Sequence, residues 1–180
     1  GSSDAGFFLK LLNEHYGNVY NEKELEELAM KVGSDVPFFI KNKTARVGGK
    51  GNKIELVENN LKDSLILVKP LGFGVSTKDA YNSFDELDEV RYANFEKIVE
   101  CLRNDNRKDL EKYIENGLEQ GISERNADIK MFKAILNSVV PGKKFFMSGS
   151  GSTYYTFVTE IERSQIETRL RTFVDNVKII

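Results

Sequence analysis

The sequence predicts an α+β chain in two parts. Three observations carry this. From Ser64 onward the apolar pattern runs strand, helices, strand, strand, helix, strand, the split βαβ plan of a ferredoxin-like domain. Before it come amphipathic helical repeats and a pair of short strands joined by glycines. Between the two, Asn59-Asn60-Leu61-Lys62-Asp63 is polar and turn-prone, which places a boundary that divides the chain into residues 1–62 and 63–180.

Phe7, Phe8, Leu11 and Leu12 recur at helical spacing from Ala5 onward, with Ser3 or Asp4 as the N-cap and an end near Tyr16-Gly17. His15, the only histidine, is a solvated residue at that helix end. Asn21-Glu22-Lys23-Glu24 reads as a capping box, and Leu25, Leu28, Ala29 and Val32 then form one apolar stripe. Gly33 stands where a C-cap glycine belongs. Pro37 restricts Val36 to extended backbone, so the helix is not expected to continue through Asp35, and Phe38, Phe39 and Ile40 follow as a buried segment. Residues 44–48 and 53–57 read as two strands joined by Gly48-Gly49-Lys50-Gly51-Asn52, a hairpin connection that also resembles a phosphate-binding loop.

In the second part, residues 65–68 form a continuous apolar run, as for a strand buried on both faces, ended by Pro70. Ser76 caps a helix, with Asp79 at the capping-box position and Ala80, Tyr81 and Phe84 along it. Further helices are marked by Phe95, Ile98, Val99 and Leu102, by Leu110, Tyr113 and Ile114, and by Ile129, Phe132, Leu136 and Val139 up to Pro141-Gly142. Strands at 145–147 and 153–158 flank the loop Ser148-Gly149-Ser150-Gly151-Ser152; Ile166, Leu170 and Phe173 outline a helix, and 174–180 a last strand.

Composition excludes several classes. The 180 residues are 40% hydrophobic and 30% charged, an ordinary globular balance. A net charge of −2 carries no basic footprint for nucleic acid. The longest apolar runs are far below membrane-spanning length. One cysteine, Cys101, forms no intrachain disulfide and fits a cytoplasmic setting.

The candidate chemistry lies in three stretches. Gly1-Ser2-Ser3-Asp4-Ala5 leads straight into a helix, and free N–H groups at a helix N-terminus, with the dipole, attract phosphate. Asp35, in Gly33-Ser34-Asp35-Val36-Pro37-Phe38-Phe39, is a lone carboxylate on a rigid turn, suited either to a general base or to capping the next turn. The 148–152 loop suits close backbone approach to a ligand, or simply a tight hairpin.

Together with Gly74-Val75-Ser76-Thr77, these stretches resemble the GHMP small-molecule kinases. Their wording is most similar to the branch that phosphorylates the 2-hydroxyl of 4-diphosphocytidyl-2-C-methyl-D-erythritol in the non-mevalonate isoprenoid pathway. The resemblance runs nearly the whole length from Gly1. It implies a two-domain GHMP fold, with residues 1–62 as the C-terminal part of the ATP-binding domain and 63–180 as the ferredoxin-like domain. It implies ATP and Mg2+ as cofactors and a small-molecule substrate, with no nucleic acid and no membrane. Asp35 then takes the substrate hydroxyl proton. Gly1, Ser2, Ser3 and Asp4 hold ATP phosphates, and Ser3 offers its hydroxyl to magnesium. Thr77, Tyr81, Gly149, Ser150 and Gly151 contact the substrate, Tyr81 standing where the branch more often has Phe and still offering a face to the cytosine. Gly6 stands where Ala is usual.

The resemblance further implies that the chain begins inside the phosphate loop, with the lysine partner of Asp35 and the adenine pocket upstream. The expectation is a chain inactive by itself that self-associates through its first segment. Two alternatives remain open at the level of sequence: another GHMP kinase, acting on homoserine or a mevalonate derivative, and a non-catalytic ferredoxin-like ligand-binding module. The second explains the plan after Ser64 but not the opening loop or Asp35.

Overall fold

The computed structural model describes residues 1–180, in two compact units, Gly1–Asn59 and Asn60–Ile180. In the first unit, α1 (Ser2–His15), α2 (Glu22–Val32) and α3 (Val36–Lys41) pack together, followed by the hairpin of β1 (Ala45–Gly48) and β2 (Lys53–Leu56).

The start of α2 is the predicted capping box. Glu24 N–H donates to Asn21 Oδ1 at 3.1 Å, and Asn21 N–H donates to Glu24 Oε2 at 2.9 Å. Leu25 and Ala29 of α2 close over Val36 and Ile40 of α3, with Ala5 and Leu9 of α1 against them. Lys41 fastens the end of α3 to α2 through Glu22 and Glu26, at 2.7 and 2.8 Å.

One local reading is corrected here and two gain detail. The segment after Asp35 is helical: Val36 is the first residue of α3 and Pro37 the second. A proline in the first turn lacks an N–H that would have had no intrahelical partner anyway, so the helix tolerates it. Gly33 does cap α2, but with an extended backbone (φ 175°), so no left-handed turn is involved. The stripe Phe7, Phe8, Leu11 faces outward on α1, and the residue α1 buries is Gly6. A Cβ at Gly6 would lie 2.6 Å from Phe39 Cβ and 3.2 Å from Val36 O. The glycine therefore sets how closely α1 approaches α3.

The second unit is an antiparallel sheet in the order β4 (Phe146–Met147), β5 (Tyr154–Val158), β3 (Ser64–Pro70), β6 (Val177–Ile179). Its connections run through α4 (Thr77–Asp85), α5 (Phe95–Arg103), α6 (Arg107–Tyr113), α7 (Gly117–Arg125) and α8 (Ala127–Val139), and through α9 (Glu160–Phe173) before the last strand. This order is the ferredoxin-like plan. One sheet face carries Ile66, Val68, Tyr154 and Val158 against Ile129, Phe132 and Leu136 of α8 and Ile166 and Leu170 of α9. The opposite face carries Phe146 and Phe157 against Cys101 and Leu110. The strand covered on both faces is thus β5. In β3, Ile66 and Val68 are buried while Leu65 stays 41% exposed, which corrects the two-sided burial expected there.

The sequence reading missed α7. Glycine disfavours helix interiors by roughly 1 kcal/mol, and α7 contains two. Both are explained by contact: a Cβ at Gly121 would sit 2.6 Å from the Ser83 carbonyl, and one at Gly117 would sit 2.5 Å from the Phe84 ring. The helix carries glycines because α4 crosses it closely.

Glu162, in the first turn of α9, joins Lys143 at 2.8 Å and Arg107 at 3.0 Å, and Arg107 reaches Asp63 at 2.7 Å. Burial works to raise the Glu162 carboxyl. Lys143, the Thr159 N–H and Arg107 outweigh it and hold the group down from 4.5 to about 2. A carboxyl depressed by folding stabilises the fold above its unfolded value and loses that contribution as pH falls through the folded one. Chemical denaturation across pH 5 to about 2 should therefore show the second unit losing stability progressively below about 4.5. Glu162→Gln should flatten that slope; an unchanged slope would remove Glu162 as its source.

No helix is long and apolar enough to cross a membrane.

Candidate functional site

The site residues divide between the units. In the first, α1 begins two residues earlier than the first of its candidate caps, Ser3, allows: Gly1 is the N-cap and Asp4 the third helical residue. Asp4 thus lies in the first turn, where the helix dipole favours a carboxylate. Ser2, Ser3 and Asp4 thereby occupy the first turn, whose N–H groups lack intrahelical acceptors. The space a Cβ at Gly1 would fill is open.

Asp35 is the N-cap residue of α3, with αR backbone (φ −90°, ψ −12°) and an exposed side chain. Its carboxylate makes no capping hydrogen bond. The simplest alternative role, a cap for the next turn, is thus filled in position but not in bonding. The turn is closed by the backbone, Val36 N–H donating to Gly33 O at 3.1 Å. The hairpin loop between β1 and β2 packs against the same turn. Gly51 has φ +90°, and a Cβ there would fall 1.9 Å from Ser34 O.

In the second unit, Ser76 caps α4 by accepting from Asp79 N–H at 3.5 Å. Thr77 Oγ1 lies 3.1 Å from Ser150 Oγ, so α4 and the 148–152 loop meet hydroxyl to hydroxyl. Tyr81, one turn along α4, is 55% exposed and belongs to no core cluster. Gly149 and Gly151 have φ of +56° and +85°, backbone that glycine adopts freely. A Cβ on Gly151 would meet Met147 Sδ at 2.7 Å, whereas the space beside Gly149 is open. Ser148 N–H donates to Thr153 O at 2.8 Å and closes the loop as a hairpin.

Sequence reasoning missed two residues here: Asn116, which reaches the loop itself, and Glu119, which holds the end of β4 just before it. Asn116 Nδ2 donates to Met147 O at 2.8 Å and to Gly149 O at 2.9 Å. Glu119 Oε2 accepts from Met147 N–H at 3.3 Å. Their Asn-x-x-Glu spacing was the available signal, hidden because Gly117 and Gly121 mask the helix it opens.

No protein-family model matches the chain. Structurally it is similar to a crystal structure of 4-(cytidine 5'-diphospho)-2C-methyl-D-erythritol kinase, with a TM-score of 0.75 and 24% identity over 99% of this chain and 63% of that one. It is also similar to homoserine kinase from Cytophaga hutchinsonii, with a TM-score of 0.67 and 15% identity over 94% of this chain and 59% of that one. The fold is that of the GHMP kinases. Within that fold, the resemblance read from the motifs is borne out by sequence. The chain is 78% identical over 180 residues to a protein from Fusobacterium nucleatum subsp. nucleatum named 4-diphosphocytidyl-2-C-methyl-D-erythritol kinase, covering 100% of this chain and 61% of that protein. It is 33% identical over 172 residues to a protein of the same name from Clostridium botulinum (strain Loch Maree / Type A3), covering 92% and 59%. The chain thus spans about three-fifths of the length of these relatives.

Proposed function

We propose that these 180 residues are part of an ATP-dependent kinase that phosphorylates the 2-hydroxyl of 4-diphosphocytidyl-2-C-methyl-D-erythritol. The observation that carries this reading is the 78% identity along the entire chain to a relative of that name. The geometry agrees with it. Phosphoryl transfer asks for positioning and charge stabilisation more than for covalent chemistry. The first turn of α1 offers N–H groups to the phosphates at Ser2, Ser3 and Asp4. Asp4 acts there through its backbone N–H, because its carboxylate would repel an anion. Asp35 takes the proton of the attacking hydroxyl as the new phosphorus–oxygen bond forms and ADP leaves. Thr77, Gly149, Ser150 and Gly151 line the substrate side, and Tyr81 stacks on the cytosine.

Magnesium fits this arrangement as an ion held chiefly by the nucleotide. The structure has no cluster of three or more His, Cys, Asp or Glu side chains, and Mg2+ commonly binds through phosphate oxygens and waters with one or two protein ligands. Ser3 Oγ would be the protein ligand within the phosphate turn. When bound, the ion neutralises charge on the transferring phosphoryl group.

The test is turnover by a chain of the relatives' full length carrying these residues, offered ATP with the cytidyl substrate or with homoserine. Phosphorylation of the cytidyl substrate alone is expected; equal use of homoserine would favour a different GHMP activity. In the same assay Tyr81→Ala should raise the KM for the cytidyl substrate about fivefold to 150-fold, the equivalent of roughly 1–3 kcal/mol per stacked base. The KM for ATP should stay unchanged, since the contact is uniform binding to one substrate. A stable variant with an unaltered cytidyl KM would remove Tyr81 from the substrate site.

A further inference from the structure

The 148–152 loop is gripped from behind by the first turn of α7. A side-chain amide has two N–H donors and one oxygen with two lone pairs. Asn116 uses all four. Its Oδ1 accepts from Leu118 N–H at 3.0 Å and Glu119 N–H at 3.3 Å, capping α7. Its Nδ2 donates to the carbonyls of Met147 and Gly149, at 2.8 and 2.9 Å. Glu119 stands where a capping-box carboxylate would turn back onto the N-cap N–H. Instead it is 8% exposed, accepts from Met147 N–H at 3.3 Å and lies 2.6 Å from Lys133 Nζ. A cap motif has been turned outward to hold another segment.

We propose that Asn116 and Glu119 are positioning residues that hold the 148–152 loop in its substrate-binding shape. This rests on the reading of that loop as a substrate contact. The loop's own backbone bonds are few: Ser148 N–H to Thr153 O, and Gly151 N–H to Ser148 O at 3.0 Å. Two glycines at positive φ leave such a segment many conformations to lose. Asn116 removes that freedom by fixing the two carbonyls on either side of Ser148. The geometry has a chemical consequence. In a planar trans peptide the N–H points opposite to the preceding C=O. With the Gly149 carbonyl held on α7, the Ser150 N–H is directed away from α7, on the side where a ligand oxygen can take it. The Ser150 hydroxyl is placed in the same way, 3.1 Å from Thr77. Asparagine is required for this. Aspartate would set a carboxylate oxygen against two carbonyl oxygens, and serine would keep the cap but lose both donors.

Asn116→Ser in a chain of the relatives' full length is therefore the discriminating variant, since Ser is a good N-cap. Two neutral hydrogen bonds lost should speed amide exchange at Ser148 and Gly151 about tenfold to thirtyfold. Exchange within α7 should be unchanged. Affinity for cytidine 5'-diphosphate, used as the probe, should fall about fivefold or more while ATP affinity holds. Glu119→Gln should loosen Ser148 less, because it keeps the shape and an acceptor oxygen. Unchanged loop exchange in Asn116→Ser would overturn the clamp. Faster loop exchange with undiminished probe affinity would overturn its positioning role. If the unaltered protein does not bind the probe, the substrate-contact reading of the loop fails, while loop exchange still judges the clamp.

Discussion

Asp35→Asn should lower phosphoryl transfer about 100-fold to 10,000-fold, the usual worth of a general base. ATP affinity and folding stability should stay close to those of the unaltered protein. The expectation of intact folding comes from the structure. The Asp35 carboxylate is exposed and makes no capping bond, and the turn around it is closed by the Val36 N–H to Gly33 carbonyl contact. Nothing in the first unit hangs on its charge. Asparagine is also as good an N-cap residue as aspartate, so the start of α3 has no reason to fray. What the amide lacks is the ability to take a proton. Steady-state kinetics on a chain of the relatives' full length, with denaturant melts of the same preparation, separate the two effects. A variant that keeps more than half the turnover would remove Asp35 from catalysis. One that unfolds would show that the carboxylate supports the turn after all.

How much of this was legible in the sequence depended on where the deciding contacts lie. Local signals were read directly. Asn21 and Glu24 bond as their spacing says, Ser76 caps α4, and the succession of strands and helices along the chain after Ser64 follows from periodicity. Signals that depend on a distant partner were not. Gly6 looks like a weak helix residue until Phe39 is seen 2.6 Å from its missing Cβ. Gly117 and Gly121 hid α7 for the same reason, since what makes glycine necessary there belongs to α4. Pro37 misled in the other direction: the rule that the residue before proline is extended is a preference, and a proline in a helix's first turn overrides it. The candidate site shows the same split. Asp35 and the glycine–serine loop were legible as motifs, whereas Asn116 and Glu119 are tied to the loop only through the tertiary fold.

Gly51→Ala should be the most damaging single methyl in the first unit, and its damage should reach Asp35. Two independent penalties combine. At φ +90° an alanine is strained whatever its surroundings, by roughly 1–3 kcal/mol. Its Cβ would also lie 1.9 Å from Ser34 O and 2.8 Å from Ser34 C. Both are backbone atoms, so no side-chain rotation relieves the contact; either the hairpin loop or the turn must move. Ser34 immediately precedes Asp35, and a displacement of about 1 Å in a reacting group can lower turnover about 100-fold. Gly49→Ala is the matched control. Gly49 also has positive φ, at +64°, but its added Cβ would meet the side-chain oxygen of Asn52, which can swing aside. The control therefore carries the backbone strain without the contact at Ser34. Denaturant melts should show Gly51→Ala losing at least about 2 kcal/mol, clearly more than Gly49→Ala, and turnover should fall only with the former. Equal losses of stability and activity in the two variants would mean that backbone strain alone explains the effect and that the hairpin loop does not hold the Asp35 turn in place.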